Sequence, residues 1–235
     1  MSVSAIIVAA GRGVRFGMGS EPKQFMQLGG RPILAWSVAA MAHSSIIDEI
    51  VVVSDYAHEE KAHNIAVSCA DGKPVKVVRG GAIRQESVMA GLSAVDDGIK
   101  WVAVHDAARP LLTTALLEGV YLLAREVGAA IPVLPINDTI KEADDNRFIL
   151  RTIDRSRLYL AQTPQICKRL DLARAFEEAQ MLNLKATDEA SLLEFIGISV
   201  GMAEGSALNI KITFPDDLRL AEAIIAAWGT SWMRG

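Results

Sequence analysis

Arg12, Arg15 and Lys23 fall within a dozen residues of one another. Their stretch leaves the first apolar run as Ala9-Ala10-Gly11-Arg12-Gly13-Val14-Arg15-Phe16-Gly17 and continues to Glu21-Pro22-Lys23-Gln24. Glycine lets a backbone bend sharply and carry its N–H groups against phosphate oxygens with no Cβ in the way. Arginine and lysine supply countercharge, and here they do so in a chain whose formal net charge is -4, so the cation cluster is local. Spacing excludes two familiar phosphate loops. A dinucleotide fingerprint needs glycine where Phe16 stands, and a P-loop needs its lysine after glycine, whereas Lys23 follows Pro22. What remains is a set of fixed cations on a glycine-bent loop, or else a merely solvated basic loop. The first suits attack of an oxygen nucleophile on the α-phosphorus of a nucleoside triphosphate. Charge then builds on the equatorial oxygens and on departing pyrophosphate, and held cations stabilise that charge more than they stabilise the substrate. A nucleophile that is already an anion, such as a sugar phosphate, needs no general base.

A second group of chemical side chains stands in His105-Asp106-Ala107-Ala108-Arg109-Pro110. A carboxylate at a strand end can hold the Mg²⁺ that nucleotide phosphates bring with them, which makes Asp106 the metal candidate; the competing reading is a turn or capping aspartate. Arg109 lies where a second anionic substrate could be clamped. His105 is read as a packed, hydrogen-bonded residue. Cys69 and Cys167 are far apart and in no metal-ligand spacing, so they are read as reduced thiols without chemistry.

These residues must be positioned by the elements around them. Short β-branched runs at Ser4–Ala9, Ile50–Ser54, Val75–Val78, Trp101–His105 and Ala129–Leu134 read as strands buried on both faces. Between them, apolar residues recur at three- and four-residue spacing over Ile33–Ala42, Ser87–Val95 and Leu111–Val127, the signature of helices. Strand alternating with helix gives a doubly wound, mainly parallel, Rossmann-like α/β sheet, whose ligands sit beyond the carboxyl ends of its strands. The loops after Ala9, Val78 and His105 are therefore the ones to inspect. The rhythm breaks between Ile136 and Gln165, where Thr139–Glu142 and Phe148–Ile153 flank turn residues and predict a protruding hairpin. Beyond it we expect a helix over Lys168–Leu182, a short helix over Asp188–Phe195, strands at Ser199–Ala203 and Asn209–Thr213, and a last helix over Pro215–Trp228.

The 235 residues, 51% hydrophobic and 22% charged, fit one globular domain over residues 1–235 with one active site. An acidic chain is not built to wrap nucleic acid. No apolar run reaches the roughly 20 residues that span a bilayer, so no membrane partner is expected and the cytoplasm is the expected compartment.

The motifs taken together resemble a known family, 2-C-methyl-D-erythritol 4-phosphate cytidylyltransferase. The resemblance rests on Ala9-Ala10-Gly11, Gly13 and Arg15 with Pro22-Lys23-Gln24, Gly80-Gly81 followed by Arg84 and Ser87, and His105 to Pro110. It continues through Asp138-Thr139, Asp154-Arg155, Thr163-Pro164-Gln165, Thr187-Asp188-Glu189-Ala190 and Asn209-Ile210-Lys211. It runs in order from about residue 4 to 224. The resemblance implies CTP and methylerythritol phosphate as substrates, a CDP-linked product and pyrophosphate, Mg²⁺ or another divalent cation, and a place in non-mevalonate isoprenoid biosynthesis. It implies Arg15 and Lys23 at the pentavalent α-phosphate, and Arg155 and Lys211 at the substrate phosphate. Ala9, Ala10, Gly11, Gly13, Gly80, Gly81, Arg84 and Ser87 would surround the nucleotide, and Asp106, Ala107, Arg109, Thr139 and Thr163 the sugar phosphate. The hairpin arm, residues 136–160, would cross to a second subunit, so that Thr139 and Arg155 serve the neighbour's site in a homodimer. Two departures stand out: the first loop is one residue longer before Pro22, and Ala82-Ile83 stand where family members often carry acidic residues. The alternatives are a cytidylyltransferase for another polyol phosphate, such as ribitol 5-phosphate, or a catalytically silent nucleotide-binding protein.

Overall fold

The computed structural model describes residues 2–11 and 21–229. The first-loop residues Arg12, Gly13 and Arg15 lie outside them. In chain order the elements are β1 (Val3–Val8), β2 (Gln27–Leu28), β3 (Arg31–Pro32), α1 (Ile33–His43), β4 (Glu49–Ser54), α2 (Glu59–Cys69), β5 (Val75–Arg79), α3 (Arg84–Ser93), β6 (Trp101–Asp106) and α4 (Thr114–Val127). There follow β7 (Ala129–Pro135), β8 (Ile140–Ala143), β9 (Ile149–Ile153), β10 (Tyr159–Ala161), β11 (Gln165–Lys168), α5 (Arg169–Met181), α6 (Glu189–Phe195), β12 (Gly201–Glu204) and α7 (Pro215–Trp228).

β1 lies between β4 and β6, parallel to both, and β5 lies parallel beyond β4. These four strands put their carboxyl ends on one edge, which is where the site is. Alternate residues of each strand face opposite layers. Ala5, Ile7, Ile50, Val52 and Ala103 pack under α1, α2 and α4, while Ile6, Val51, Val53, Val102 and Val104 pack under α3, α5 and α6. Burial on both faces is what makes the runs continuously apolar, and each fully buried Val or Ile contributes roughly 1.5–3 kcal/mol. α1 is apolar on every side because its first ten residues are all buried.

The far half of the sheet departs from the parallel pattern. β11 inserts antiparallel between β6 and β7, and β10 pairs antiparallel with the end of β7. β12 then lies parallel on the other side of β7, since Val133 pairs with Ala161 in one direction and Glu204 in the other. The hairpin falls where the sequence puts it, as β8 and β9, with Arg147 in the turn at φ 67°.

Several elements differ from expectation. α4 starts at Thr114, not Leu111, because the Thr113 side chain accepts from Leu116 N at 3.1 Å and fixes the N-terminus there. α3 starts at Arg84, ahead of Ser87. The helix α2 has no counterpart in the sequence reading, since only Ala62 and Ala66 of it are buried and small residues leave a faint apolar stripe. Asn209–Thr213 joins no ladder, although Ile212 N donates to Ala108 O at 2.8 Å. Its carbonyls go to side chains instead, Asn209 O to Arg109 Nη1 at 2.7 Å and Ile212 O to Lys23 Nζ at 2.6 Å. No described helix is long and apolar enough to cross a membrane.

Candidate active site

A cleft of about 870 Å³ opens beyond the carboxyl ends of β1, β4, β5 and β6. Its floor is Ala9, Ala10 and Gly11 from the first loop, and one wall is Gly80 and Gly81 after β5. Gly80 cannot carry a side chain: a Cβ there would lie 2.5 Å from Ala10 Cβ and 2.7 Å from Ser87 Oγ. The two loops therefore approach one another through Gly80, and Ser87, buried at the base of α3, holds the second of them by accepting from Gly81 N at 3.2 Å. Next to it, Glu86 accepts from Ala82 N at 2.6 Å, so the Gly80–Ile83 turn is held by side chains of the helix it feeds.

Lys23 lies in the 3-10 turn Lys23–Phe25, which Pro22 enters at φ -60°. Its neighbour Gln24 is buried and donates Nε2 to the carbonyls of Ala9 and Gly11, pinning the returning end of the first loop to its beginning. Lys23 Nζ meets the Ile212 carbonyl, so it faces the segment that carries Lys211.

The opposite end of the cleft is a chain of alternating charge. Asp106 ends β6 at 7% exposure. It accepts from Lys211 Nζ at 2.7 Å on one oxygen and from Arg84 Nε at 3.1 Å on the other. Arg84 sends its two remaining edges to Glu189, at 2.7 and 3.1 Å. Burial raises the Asp106 carboxyl, but Arg84 and Lys211 outweigh it and hold the group well below the ordinary carboxylate range. Burial pushes Glu189 the other way, upward, with Arg84 opposing. The difference is one of cations: Asp106 has two in contact and Glu189 has one.

Beneath Asp106 lies a buried polar knot. Its backbone N–H donates to Thr163 Oγ1 at 3.1 Å, the Thr163 hydroxyl meets His105 Nδ1 at 3.0 Å, and His105 Nε2 meets the Arg109 carbonyl at 3.1 Å. Asn209 Nδ2 donates to Thr163 O at 2.8 Å, and Gln162 Nε2 to Ser206 O at 2.9 Å. His105 is thus a packed residue, as its sequence context suggests.

Of the site residues read from the sequence, the cleft brings together Ala9, Ala10, Gly11, Lys23, Gly80, Gly81, Arg84, Ser87, Asp106, Ala107 and Lys211. Thr163 lies below the wall as a support for Asp106. Arg109 is mostly spent on structure, with Nη1 and Nη2 on the carbonyls of Asn209 and Ala161. Thr139 and Arg155 are exposed at the base of the hairpin and do not line this cleft; Arg155 Nη1 donates to the Asn137 carbonyl. The sequence reading assigned no role to Glu189, Gln24 or Gln162. The only signal for them was their place in the quoted motifs or beside one.

As a metal site the residues are sparse. Both Asp106 oxygens already accept from cations, and among the described residues no three His, Cys, Asp or Glu side chains cluster. The described residues therefore build no metal cage, but a single carboxylate does fit Mg²⁺ that arrives on phosphates.

A cleft at the carboxyl ends of parallel strands, lined by Gly11, Lys23 and the Asp106–Lys211 pair, is the arrangement of a nucleotidyltransferase. Comparison with known proteins gives the family. Residues 3–227 match the family model described as 2-C-methyl-D-erythritol 4-phosphate cytidylyltransferase, and the chain belongs to that family. It is 42% identical over 223 residues to the Symbiobacterium thermophilum protein of that name, covering 95% of this chain and 92% of the other. It is 39% identical to the Caldanaerobacter subterraneus protein of the same name, over 96% of this chain and 99% of that one. The crystal structure of the Thermus thermophilus 2-C-methyl-D-erythritol 4-phosphate cytidylyltransferase superposes with a TM-score of 0.80 at 35% identity, covering 96% of this chain and 100% of that one.

Proposed function

We propose that this chain joins CTP to 2-C-methyl-D-erythritol 4-phosphate, releasing pyrophosphate, in isoprenoid precursor biosynthesis. The observation that carries the reading is the convergence of Lys23 and the Asp106–Lys211 pair on one cleft, from parts of the chain 189 residues apart at the Lys23–Ile212 contact. CTP lies across Ala9–Gly11 with its base toward Gly80, Gly81, Arg84 and Ser87. The sugar phosphate lies toward Asp106, Ala107 and Lys211. A phosphate oxygen of the acceptor attacks the α-phosphorus, the bond to the β-phosphate oxygen breaks, and pyrophosphate leaves. Lys23 and Arg15 meet the charge that grows on the five-coordinate phosphorus and its leaving group. Lys211, held by Asp106, orients the incoming phosphate. A divalent cation arriving with the triphosphate would supply further countercharge, and Asp106 is the residue that would hold it.

The chain works as one nucleotidyltransferase unit in the cytoplasm, and residues 136–160 dock on a second copy. Two features support the docking. β8 and β9 form a two-stranded sheet separate from the main one, and such hairpins are marginal alone in water. Phe148, Ile149 and Leu150 are also exposed in succession, at 71%, 64% and 62%. Thr139 and Arg155 then complete the acceptor end of the partner's cleft.

Pyrophosphate release measured with each of the four ribonucleoside triphosphates against several polyol phosphates tests the assignment. CTP with methylerythritol phosphate is expected to turn over fastest. Equal use of ribitol 5-phosphate would move the enzyme to the other acceptor class, and no release with any pair would make it a silent binder.

A further inference from the structure

Glu189 is 1% exposed, yet it carries a carboxylate, and both its oxygens accept from Arg84 in the cleft wall. Its position is fixed from behind. Asp188 caps α6 by accepting from Ser191 N at 3.0 Å, and Gln165 grips both sides of that cap, donating to Asp188 Oδ2 and accepting from Ala190 N, each at 2.9 Å. Glu189 is therefore held on a rigid base and in turn holds a guanidinium.

A guanidinium presents a fork and prefers to grip one carboxylate with two parallel bonds. Arg84 is offered two carboxylates. Glu189 takes the fork, which leaves only Nε for Asp106, and the second oxygen of Asp106 stays with Lys211. Lys211, Asp106, Arg84 and Glu189 thus alternate in charge along one line of contacts. Remove Glu189 and the Arg84 fork has one buried acceptor left, Asp106, whose two oxygens it can take together.

We infer that Glu189 is a positioning residue for the acceptor end of the site: by occupying the Arg84 fork it reserves one Asp106 oxygen for Lys211. This deepens the reading of Lys211 as the group that orients the acceptor phosphate. A purely structural ion pair would stabilise the fold without directing Lys211.

Two measurements on the full-length protein separate these roles. The first is independent of turnover: the rate at which an amine-acylating reagent labels Lys211, followed by mass spectrometry. Glu189→Gln should label Lys211 severalfold faster than the wild type, and Glu189→Asp, which keeps the charge, less so; an unchanged rate overturns the proposal. The second is a double-mutant cycle on pyrophosphate release. Glu189→Gln alone should lower kcat/KM for the sugar phosphate about tenfold or more, and should add almost nothing in a Lys211→Ala background, because the two act as one unit. Losses that multiply instead refute it. If Glu189→Gln does not fold, as judged by circular dichroism, Glu189→Asp enters the same cycle with a smaller loss expected. A wild type that releases no pyrophosphate would remove the proposed reaction, while the labelling result would still decide the positioning role.

Discussion

His105 is fully buried under the acceptor end of the cleft, and replacing it with a group that cannot titrate should change how stability responds to acid. The Thr163 hydroxyl accepts from Asp106 N, so its proton is directed at His105 Nδ1; Nε2 then carries the ring proton and donates to the Arg109 carbonyl. That is a neutral ring. Burial, in the first place, holds its pKa down to about 4 from 6.5. In the unfolded chain the ring takes up a proton near pH 6.5, and in the folded protein not until about pH 4. Between those values the unfolded state binds more protons, so stability is complete above pH 6.5 and is lost as pH falls toward 4. At roughly 1.4 kcal/mol per pH unit, the whole window is worth about 3 kcal/mol. Asp106, held low by Arg84 and Lys211, titrates below the window, and Glu189, raised by burial, contributes with the opposite sign. Both drop out of a difference between two proteins that share them. His105→Gln keeps an acceptor for Thr163 and a donor for Arg109 and has no proton to gain. Urea unfolding of both proteins at steps from pH 7.5 to 4.5 should show the wild type losing about 2–3 kcal/mol more than the variant, with parallel behaviour above pH 7. Curves that stay parallel throughout would mean that the ring is not held neutral, and the knot beneath Asp106 would be wrongly drawn.

Further predictions concern the hairpin arm. Arg155→Ala should impair use of the sugar phosphate, raising its KM, while leaving the KM for CTP near the wild-type value, as steady-state kinetics with each substrate varied will show. Mixed dimers of an Arg155→Ala chain with a Lys23→Ala chain should regain about half the sites if the arm works in trans, because one of the two clefts then has both residues intact. No recovery would place Arg155 in its own chain's site.

Much of the architecture was legible because burial on both faces leaves a plain mark. β1, β4 and β6 are rich in Val, Ile and Ala for that reason, and the hairpin announced itself through turn residues between two β-branched pieces. α2 was not legible, since its only fully buried residues are the small Ala62 and Ala66, with Ile65 and Cys69 packing from the edge. β11 was hidden by its brevity and by Pro164 at its entrance, and only its neighbours β6 and β7 make Gln165–Lys168 a strand. Asn209–Thr213 looked like a strand and is not one, because side chains of Arg109 and Lys23 consume the carbonyls that a ladder would use. In the site, the cleft-lining Lys23 and Asp106 were readable from charge and loop position, and Gly80 and Lys211 through the family resemblance. Those that face other residues were not. Glu189 lies 105 positions from Arg84, and nothing local in the sequence pairs them. Arg109, read as a substrate clamp, is drawn into the same tertiary web.

The central claim is that Lys23 acts on charge that exists only while the phosphorus is being displaced. Steady-state kinetics of Lys23→Ala with CTP and methylerythritol phosphate tests it most directly. A fall in kcat of about 10²–10³-fold is expected, the scale of losing one preorganised donor, with the KM for CTP moving only a few-fold. A variant that keeps kcat and loses only CTP affinity would contradict it.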